Sequence, residues 1–281
     1  MTAARMVRLS TGIRMYGEQT GTGAPVLVFL HGGGGWLEHW RSQIDRFSKT
    51  MTVAACDLRG HGRTETPLGR YDISVFADDV AAWLETLGIE RPVLVGHSLG
   101  GTIAVRFAFD YPDRVSGIVV VDSTCRTADL ARDDWRRTVV ARINDPETAK
   151  AQAARYTHSP ESGHADTVDA MLAATPPPPP GVIHATHYGL LTHNNAAAAS
   201  FVSCPTLIVG ACDMDYWPLV QSFSDYIPHA RVTGIPCCGH YVMIEQPKRF
   251  DEELSVFLDA VRLGTAPRGK SGEIPAGRWE G

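Results

Sequence analysis

Six short apolar runs, each closed by turn residues, limit how this chain can fold more than any other feature. They are APVLVFLH (24–31), MTVAACDLRG (51–60), RPVLVGHS (91–98), SGIVVVDS (116–123), CPTLIVGA (204–211) and ARVTGIP (230–236). Runs that are apolar at consecutive positions fit strands covered on both faces, not strands with one wet face. Most neighbouring runs are separated by enough chain for a helix. That spacing predicts βα units and therefore an α/β fold with a mostly parallel central sheet flanked by helices. The start, MVRLSTGIRMYGEQTG, alternates more loosely and reads as an antiparallel edge hairpin.

The helices between the runs are marked by spacing. Ile73, Phe76, Val80, Trp83, Leu84 and Leu87 recur with helical period, with Asp72 or Ser74 to cap the start and Gly88 to end it. A second helix is expected from Ser98 to Tyr111, before Pro112. A third follows Pro247 and places Phe250, Leu254, Phe257, Leu258 and Val261 on one face.

Residues 124–203 break the rhythm. They hold five histidines, an alanine-rich stretch and TPPPPPG (175–181), with no buried-strand pattern. We read them as a helical cap inserted over the carboxyl edge of the sheet, its proline run favouring a stiff polyproline II segment. The core is then 1–123 with 204–264. The tail 265–281 has little to bury and is expected to be flexible.

The bulk numbers exclude several function classes. The 281 residues carry 26 basic and 31 acidic side chains, interspersed, for a net charge of -5. No basic stripe marks a nucleic-acid partner. No run approaches the roughly 18 apolar residues of a membrane span, and the first residues lack the core of a signal peptide. A cytoplasmic protein, monomer or homodimer, acting on a small molecule is the expectation. The six cysteines form no CxxC pair, so reduced thiols are expected. His184, His187 and His193 lack the further ligands a zinc site would need, and no metal is expected.

The third run ends in Gly96-His97-Ser98-Leu99-Gly100, a GxSxG sequence between a strand and a helix. A serine at so tight a turn needs small neighbours two residues away, and the strain presents its hydroxyl. The next amide, that of Leu99, opens a helix and lacks an intrahelical acceptor, so it can hold an oxyanion. A serine at its own pKa is a weak nucleophile and needs a base. His240, after the sixth run and beside Gly239, is the best placed. The base needs an orienting acid, and elbow enzymes supply them in the order Ser, acid, His. Asp213, at the end of the fifth run, is favoured. Asp215 and Asp122 remain alternatives. The glycine loop HGGGGW (31–36) is expected to give the second oxyanion amide, from Gly33 first and Gly34 second. Gly34, Trp36, His97, Trp217 and Tyr241 are candidates for lining a substrate pocket, and packing of core against cap is the competing role.

Together, FLHGGGG, CDLRGHGRTETP, VLVGHSLGG, YPDRV, LIVGACD and GHYVMIEQP make the chain resemble the α/β-hydrolase superfamily from residue 26 to about 260. The resemblance implies Ser98 as nucleophile, His240 as base and Asp213 as acid. It also implies the Gly33 and Leu99 amides as oxyanion hole, and no cofactor. One departure stands out: Pro218 lies five residues after Asp213, where the family often has proline four after its acid. Arg59-Gly60-His61-Gly62 also resembles the family, and His61 is read as structural. A serine nucleophile suits acyl transfer, so the expected function is hydrolysis of a carboxylic ester or lactone of a small, largely apolar molecule. The alternatives are carbon–carbon hydrolysis of diketone-type acids, ligand sensing, and perhydrolysis on the same scaffold.

Overall fold

The computed structural model describes residues 3–125 and 159–269. In chain order the main elements are β1 (Ala3–Arg8), β2 (Arg14–Thr20), β3 (Leu27–Leu30), α1 (Arg41–Phe47), β4 (Val53–Cys56), α2 (Ile73–Leu87), β5 (Val93–His97), α3 (Leu99–Asp110) and β6 (Gly117–Val121). After residue 159 come α4 (Ala165–Ala174), α5 (Pro180–Thr192), α6 (Asn195–Ala199), β7 (Thr206–Ala211), α7 (Trp217–Gln221), α8 (Phe223–Tyr226), β8 (Arg231–Ile235), α9 (Val242–Glu245) and α10 (Pro247–Arg262).

The strands form one sheet in the order β1-β2-β4-β3-β5-β6-β7-β8. β1 pairs antiparallel with β2, and β2 with β4. Every pair from β4 to β8 is parallel. The six apolar runs thus become β3 to β8, and the looser start becomes the edge hairpin. Alternate residues of each strand serve opposite faces. Val28, Leu30, Leu94, Ile118, Val120 and Ile208 join a core with Phe76, Val80, Trp83, Ile103 and Phe107 of α2 and α3. Leu27, Phe29, Val93, Val95, Val119 and Leu207 face the other way, onto Ile44, Phe250, Leu254 and Phe257 of α1 and α10. Each such side chain contributes about 1.5–3 kcal/mol by leaving water, which is why consecutive positions must be apolar.

Two buried carboxylates organise the loops above the sheet. Asp79, on α2, receives both Nε and Nη2 of Arg59 at 2.7 and 2.9 Å. Asp57, just past β4, accepts Leu37 N–H at 2.8 Å and the Arg63 amide and Nε–H at 2.9 and 2.8 Å. The RGHGR segment is therefore a scaffold. His61 within it is buried, its Nδ1–H donating to the Arg59 carbonyl at 2.8 Å.

Of the expected cap segment, residues 126–158 lie outside the described residues. The remainder is helical: α4, α5 and α6. In the proline run Pro179 is extended, at φ -52° and ψ 142°, while Pro180 already opens α5. A free N–H is lost at no cost at a helix's first position, so the stiff segment ends one residue early. Residues 270–281 of the expected tail also lie outside the described residues. Just before them, Gly269 N–H donates to the Ser203 carbonyl at 3.0 Å. Among the described residues no helix is long and apolar enough to cross a membrane, and all six cysteines are free thiols.

Candidate active site

Ser98 stands between β5 and α3 with φ 51° and ψ -112°, a conformation costly for a residue with a Cβ. Two glycines make the turn possible. A Cβ on Gly96 would run into the Gly100 carbonyl, and one on Gly100 into the Leu30 carbonyl. Strand and helix meet backbone to backbone here. Ser98 N–H is held by the Val121 carbonyl at 2.9 Å, and the Ser98 carbonyl accepts from Gly101 N–H and from the Ser123 hydroxyl. Leu99 is the first residue of α3, so its N–H points out of the helix end without an intrahelical acceptor.

The glycine loop beside the elbow is a tight turn closed by Gly35 N–H to the Gly32 carbonyl at 3.0 Å. Gly34 sits at φ 78°, where glycine is needed, and Gly33 is exposed with nothing within 4 Å of where a Cβ would be. A Cβ on Gly32 would lie 3.3 Å from Ser98 Cβ, so the loop passes directly over the serine. Both loop ends are tied to the chain after β4. His31 Nδ1–H donates to the Gly32 carbonyl at 2.7 Å while its Nε2 accepts Leu58 N–H at 2.8 Å, and Leu37 N–H reaches Asp57.

His240 Nδ1 lies 2.7 Å from Oδ2 of Asp122. The carboxylate that meets His240 is therefore Asp122, not the favoured Asp213. Asp122 follows β6, the sheet neighbour of the strand that carries Ser98, and its side chain is fully buried. Its backbone, at φ 47°, turns the side chain over the end of β7, where Ala211 N–H donates to Oδ1 at 2.9 Å and the Tyr216 hydroxyl to Oδ2 at 2.7 Å. Asp213 is exposed and accepts Cys237 N–H at 2.7 Å, bracing the loop that carries His240. Asp215 is exposed as well. With Nδ1–H given to Asp122, the Nε2 of His240 carries the lone pair.

The pocket candidates divide. His97 is buried, its Nε2–H donates to the His240 carbonyl at 2.8 Å, and its ring lies 4.5 Å from that of His240. It backs the His240 ring and is closed off from a substrate. Burial pushes its pKa well below the ordinary histidine value, so it stays neutral. Tyr241 is buried between His97 at 5.0 Å and His39 at 5.8 Å. Trp217 lies against the backbone of Gly210 and Gly234. Trp36 is half-buried with Arg63 5.2 Å above its ring. A Cβ on Gly34 would lie 3.8 Å from Ile183 of α5, so this position stands between core and cap.

Three contributors were not anticipated. Tyr216 has no periodic signal in CDMDYWP. Ser123 looks like any small residue after a strand. Glu245 offered a hint, being a lone acid in YVMIEQP: it is buried and takes Gly239 N–H at 2.8 Å and Ser159 N–H at 2.9 Å. Among the described residues no group of three or more His, Cys, Asp or Glu could hold a metal ion.

A strained serine, a buried carboxylate–imidazole pair and a glycine loop over a helix start define a class: hydrolases of α/β fold. The chain belongs to the alpha/beta hydrolase fold family, whose pattern matches residues 25–247. It is 30% identical over 257 residues to 2-(acetamidomethylene)succinate hydrolase of Mesorhizobium japonicum, covering 86% of this chain and 91% of that one. A solved structure described as "Est816 as an N-Acyl homoserine lactone degrading enzyme" superimposes with TM-score 0.81 at 29% identity, covering 90% of this chain and 100% of that chain. A thermophilic esterase from Thermogutta terrifontis gives TM-score 0.79 at 25% identity over 92% of this chain and 99% of that chain. Local identity is higher elsewhere: 38% over 110 residues to the dihydrolipoyllysine-residue acetyltransferase component of the acetoin cleaving system of Cupriavidus necator. That match spans 39% of this chain and only 29% of the relative.

Proposed function

We propose that this hydrolase cleaves carboxylic esters or lactones through an acyl-enzyme. The observation that carries the reading is the 2.7 Å bond from His240, in the loop after β8, to buried Asp122, at the end of the strand beside the one that carries strained Ser98. His240 Nε2 takes the proton as Ser98 Oγ attacks the carbonyl carbon. The Leu99 and Gly33 N–H groups receive the oxygen as it becomes negative. His240 then protonates the leaving alcohol, and water repeats the sequence to release the acid. Asp122 keeps Nδ1 protonated and stabilises the imidazolium.

The neighbouring loop supports a neutral acyl substrate. Its cations are engaged, Arg59 by Asp79 and Arg63 by Asp57. The lactone-degrading and esterase neighbours support the same bond type. We take α4 to α6 as a cap that selects the substrate, since Ile183 faces the glycine loop.

A fluorophosphonate probe followed by peptide mass spectrometry tests the reading. We expect one adduct, on Ser98, absent in Ser98→Ala. The same pair of proteins should then be assayed on p-nitrophenyl esters of increasing chain length, N-acyl homoserine lactones and 2-(acetamidomethylene)succinate. Turnover lost in Ser98→Ala supports the proposal. An unlabelled Ser98, or equal turnover by the variant, overturns it.

A further inference from the structure

The Asp122 carboxylate receives more than a base-orienting acid requires. Its Oδ1 accepts Ala211 N–H, and its Oδ2 accepts both His240 Nδ1–H and the Tyr216 hydroxyl, each at 2.7 Å. The backbone donor is fixed by the chain. The phenol is a choice of side chain, and a phenylalanine would fill the same space. Its ring stands edge-on to the imidazole, with centroids 6.4 Å apart and planes at 86°.

We propose that Tyr216 is a positioning residue which, through Asp122, sets how strongly His240 holds a proton and at what pH the enzyme works. The inference rests on the reading of Ser98, His240 and Asp122 as the hydrolytic triad. A hydrogen bond to a carboxylate draws off part of its negative charge. Two donors on one oxygen therefore compete. The more the phenol takes, the less remains to stabilise imidazolium. Removing the phenol O–H leaves a more strongly negative Asp122, and His240 should hold its proton to higher pH. Burial and the adjacent carboxylate push the Tyr216 phenol well above its ordinary pKa, so it remains a donor across the working range.

Tyr241 stands with its ring 5.6 Å from that of His240, and other titratable groups around this pair are committed elsewhere. Cys238 donates to the Ile235 carbonyl. Glu245 takes Gly239 and Ser159 amides, and Asp213 takes the Cys237 amide. Cys212 points its thiol at Asp213. His97 donates to the backbone of His240 and stays neutral. Tyr216 is thus the titratable donor besides His240 that these bonds place on Asp122.

The test is Tyr216→Phe in the full chain, read in two ways. In kcat/KM against pH for an ester substrate, the acid limb should move up by about half a unit to one unit, since a hydrogen bond to a charged group is worth about one to two pKa units at most. On the plateau kcat should rise or stay within about threefold, since a more negative Asp122 stabilises imidazolium better, and KM should stay within about twofold. Independently of turnover, the ring titration of His240 followed by NMR should move the same way, and in the Asp122→Asn background it should no longer respond to Tyr216→Phe. Incorporating 3,5-difluorotyrosine at 216, a stronger donor, should move both readouts in the opposite direction and serves if the Phe variant does not fold. A His240 titration that stays put in both variants overturns the proposal. So does a rise in KM with an unmoved acid limb, which would make the phenol a substrate contact. Failure of the fluorophosphonate to label Ser98 would instead remove the hydrolase reading, and the NMR titration would still decide the Tyr216 assignment.

Discussion

At the scale of single residues, the two aspartates argue against each other. Asp122 is fully buried against His240, and Asp213 is exposed against a backbone amide. Asp122→Asn should lower kcat by about 10³–10⁴, because an amide in that place favours the wrong tautomer of the base. Asp213→Asn removes a charge from an exposed loop brace and should leave kcat within a fewfold, in keeping with surface substitutions worth about ±0.5 kcal/mol. Steady-state kinetics on one ester decides it: the reverse order would return the role to Asp213. The elbow was legible because five consecutive residues, Gly96 to Gly100, and their strand-to-helix setting carry it. The acid was not, because its assignment depends on which strand ends lie side by side. Pro218, one residue later than expected, was the local sign that the loop after β7 does not present its aspartate in the familiar way.

Elements explain the rest of what was readable and what was not. β3 to β7 announce themselves because both faces are covered and every position is buried, while the edge strand β8 is covered only in part. The helix α4 buries far less, only Val168 among its ten residues, so its sequence is free to drift and names no partner. What holds this region is a few contacts without periodicity. A Cβ on Gly189 of α5 would meet the Tyr71 carbonyl at 2.6 Å, and His39 Nε2–H donates to the Thr175 hydroxyl at 2.8 Å, which donates in turn to the Met171 carbonyl. Thr175→Val keeps the shape and leaves the His39 donor buried without a partner. Urea unfolding should show a loss of about 1–3 kcal/mol, and an unchanged midpoint would mean that this tie between cap and glycine loop carries no stability. The elbow itself allows a sharper contrast. Gly100→Ala forces a methyl into the Leu30 and His31 carbonyls, whereas Gly33→Ala meets nothing within 4 Å. Thermal unfolding should show the first losing about 1–3 kcal/mol or more, as overpacking of rigid backbone does, and the second melting with the wild type.

Across the whole molecule, the loops above the sheet share one chemical trait: they are pinned by histidines that must remain neutral. His31, His39, His61 and His97 are all buried. His31 spends Nδ1–H on Gly32 and uses Nε2 to accept Leu58 N–H, so a second proton has nowhere to go without breaking that bond. Nε2 of His61 and the Nδ1 atoms of His39 and His97 are buried with no hydrogen-bond partner among the described residues. Burial lowers the pKa of His31 and His61 to about 3 and that of His39 to about 4, and pushes His97 well below 6.5. In the unfolded chain all four would take up protons near pH 6.5. The unfolded state therefore binds more protons between pH 6.5 and about 4, and stability must fall with falling pH across that window. It is fully present above pH 6.5. By pH 5.5 each histidine costs about 1 kcal/mol, or about 4–5 kcal/mol together, a large part of the 5–15 kcal/mol that holds a typical domain. Urea midpoints measured from pH 8 to 5 should be flat down to about 7 and then drop, with a slope corresponding to about five protons taken up on unfolding, one for each of these rings and one for His193, which burial also lowers to about 4. His39→Gln should make the slope shallower by about one proton while leaving His240 in place. A midpoint that stays level down to pH 5 would show that the buried rings bind protons in the folded protein as readily as in the unfolded chain, and the neutral scaffold argued from their hydrogen bonds would be wrong.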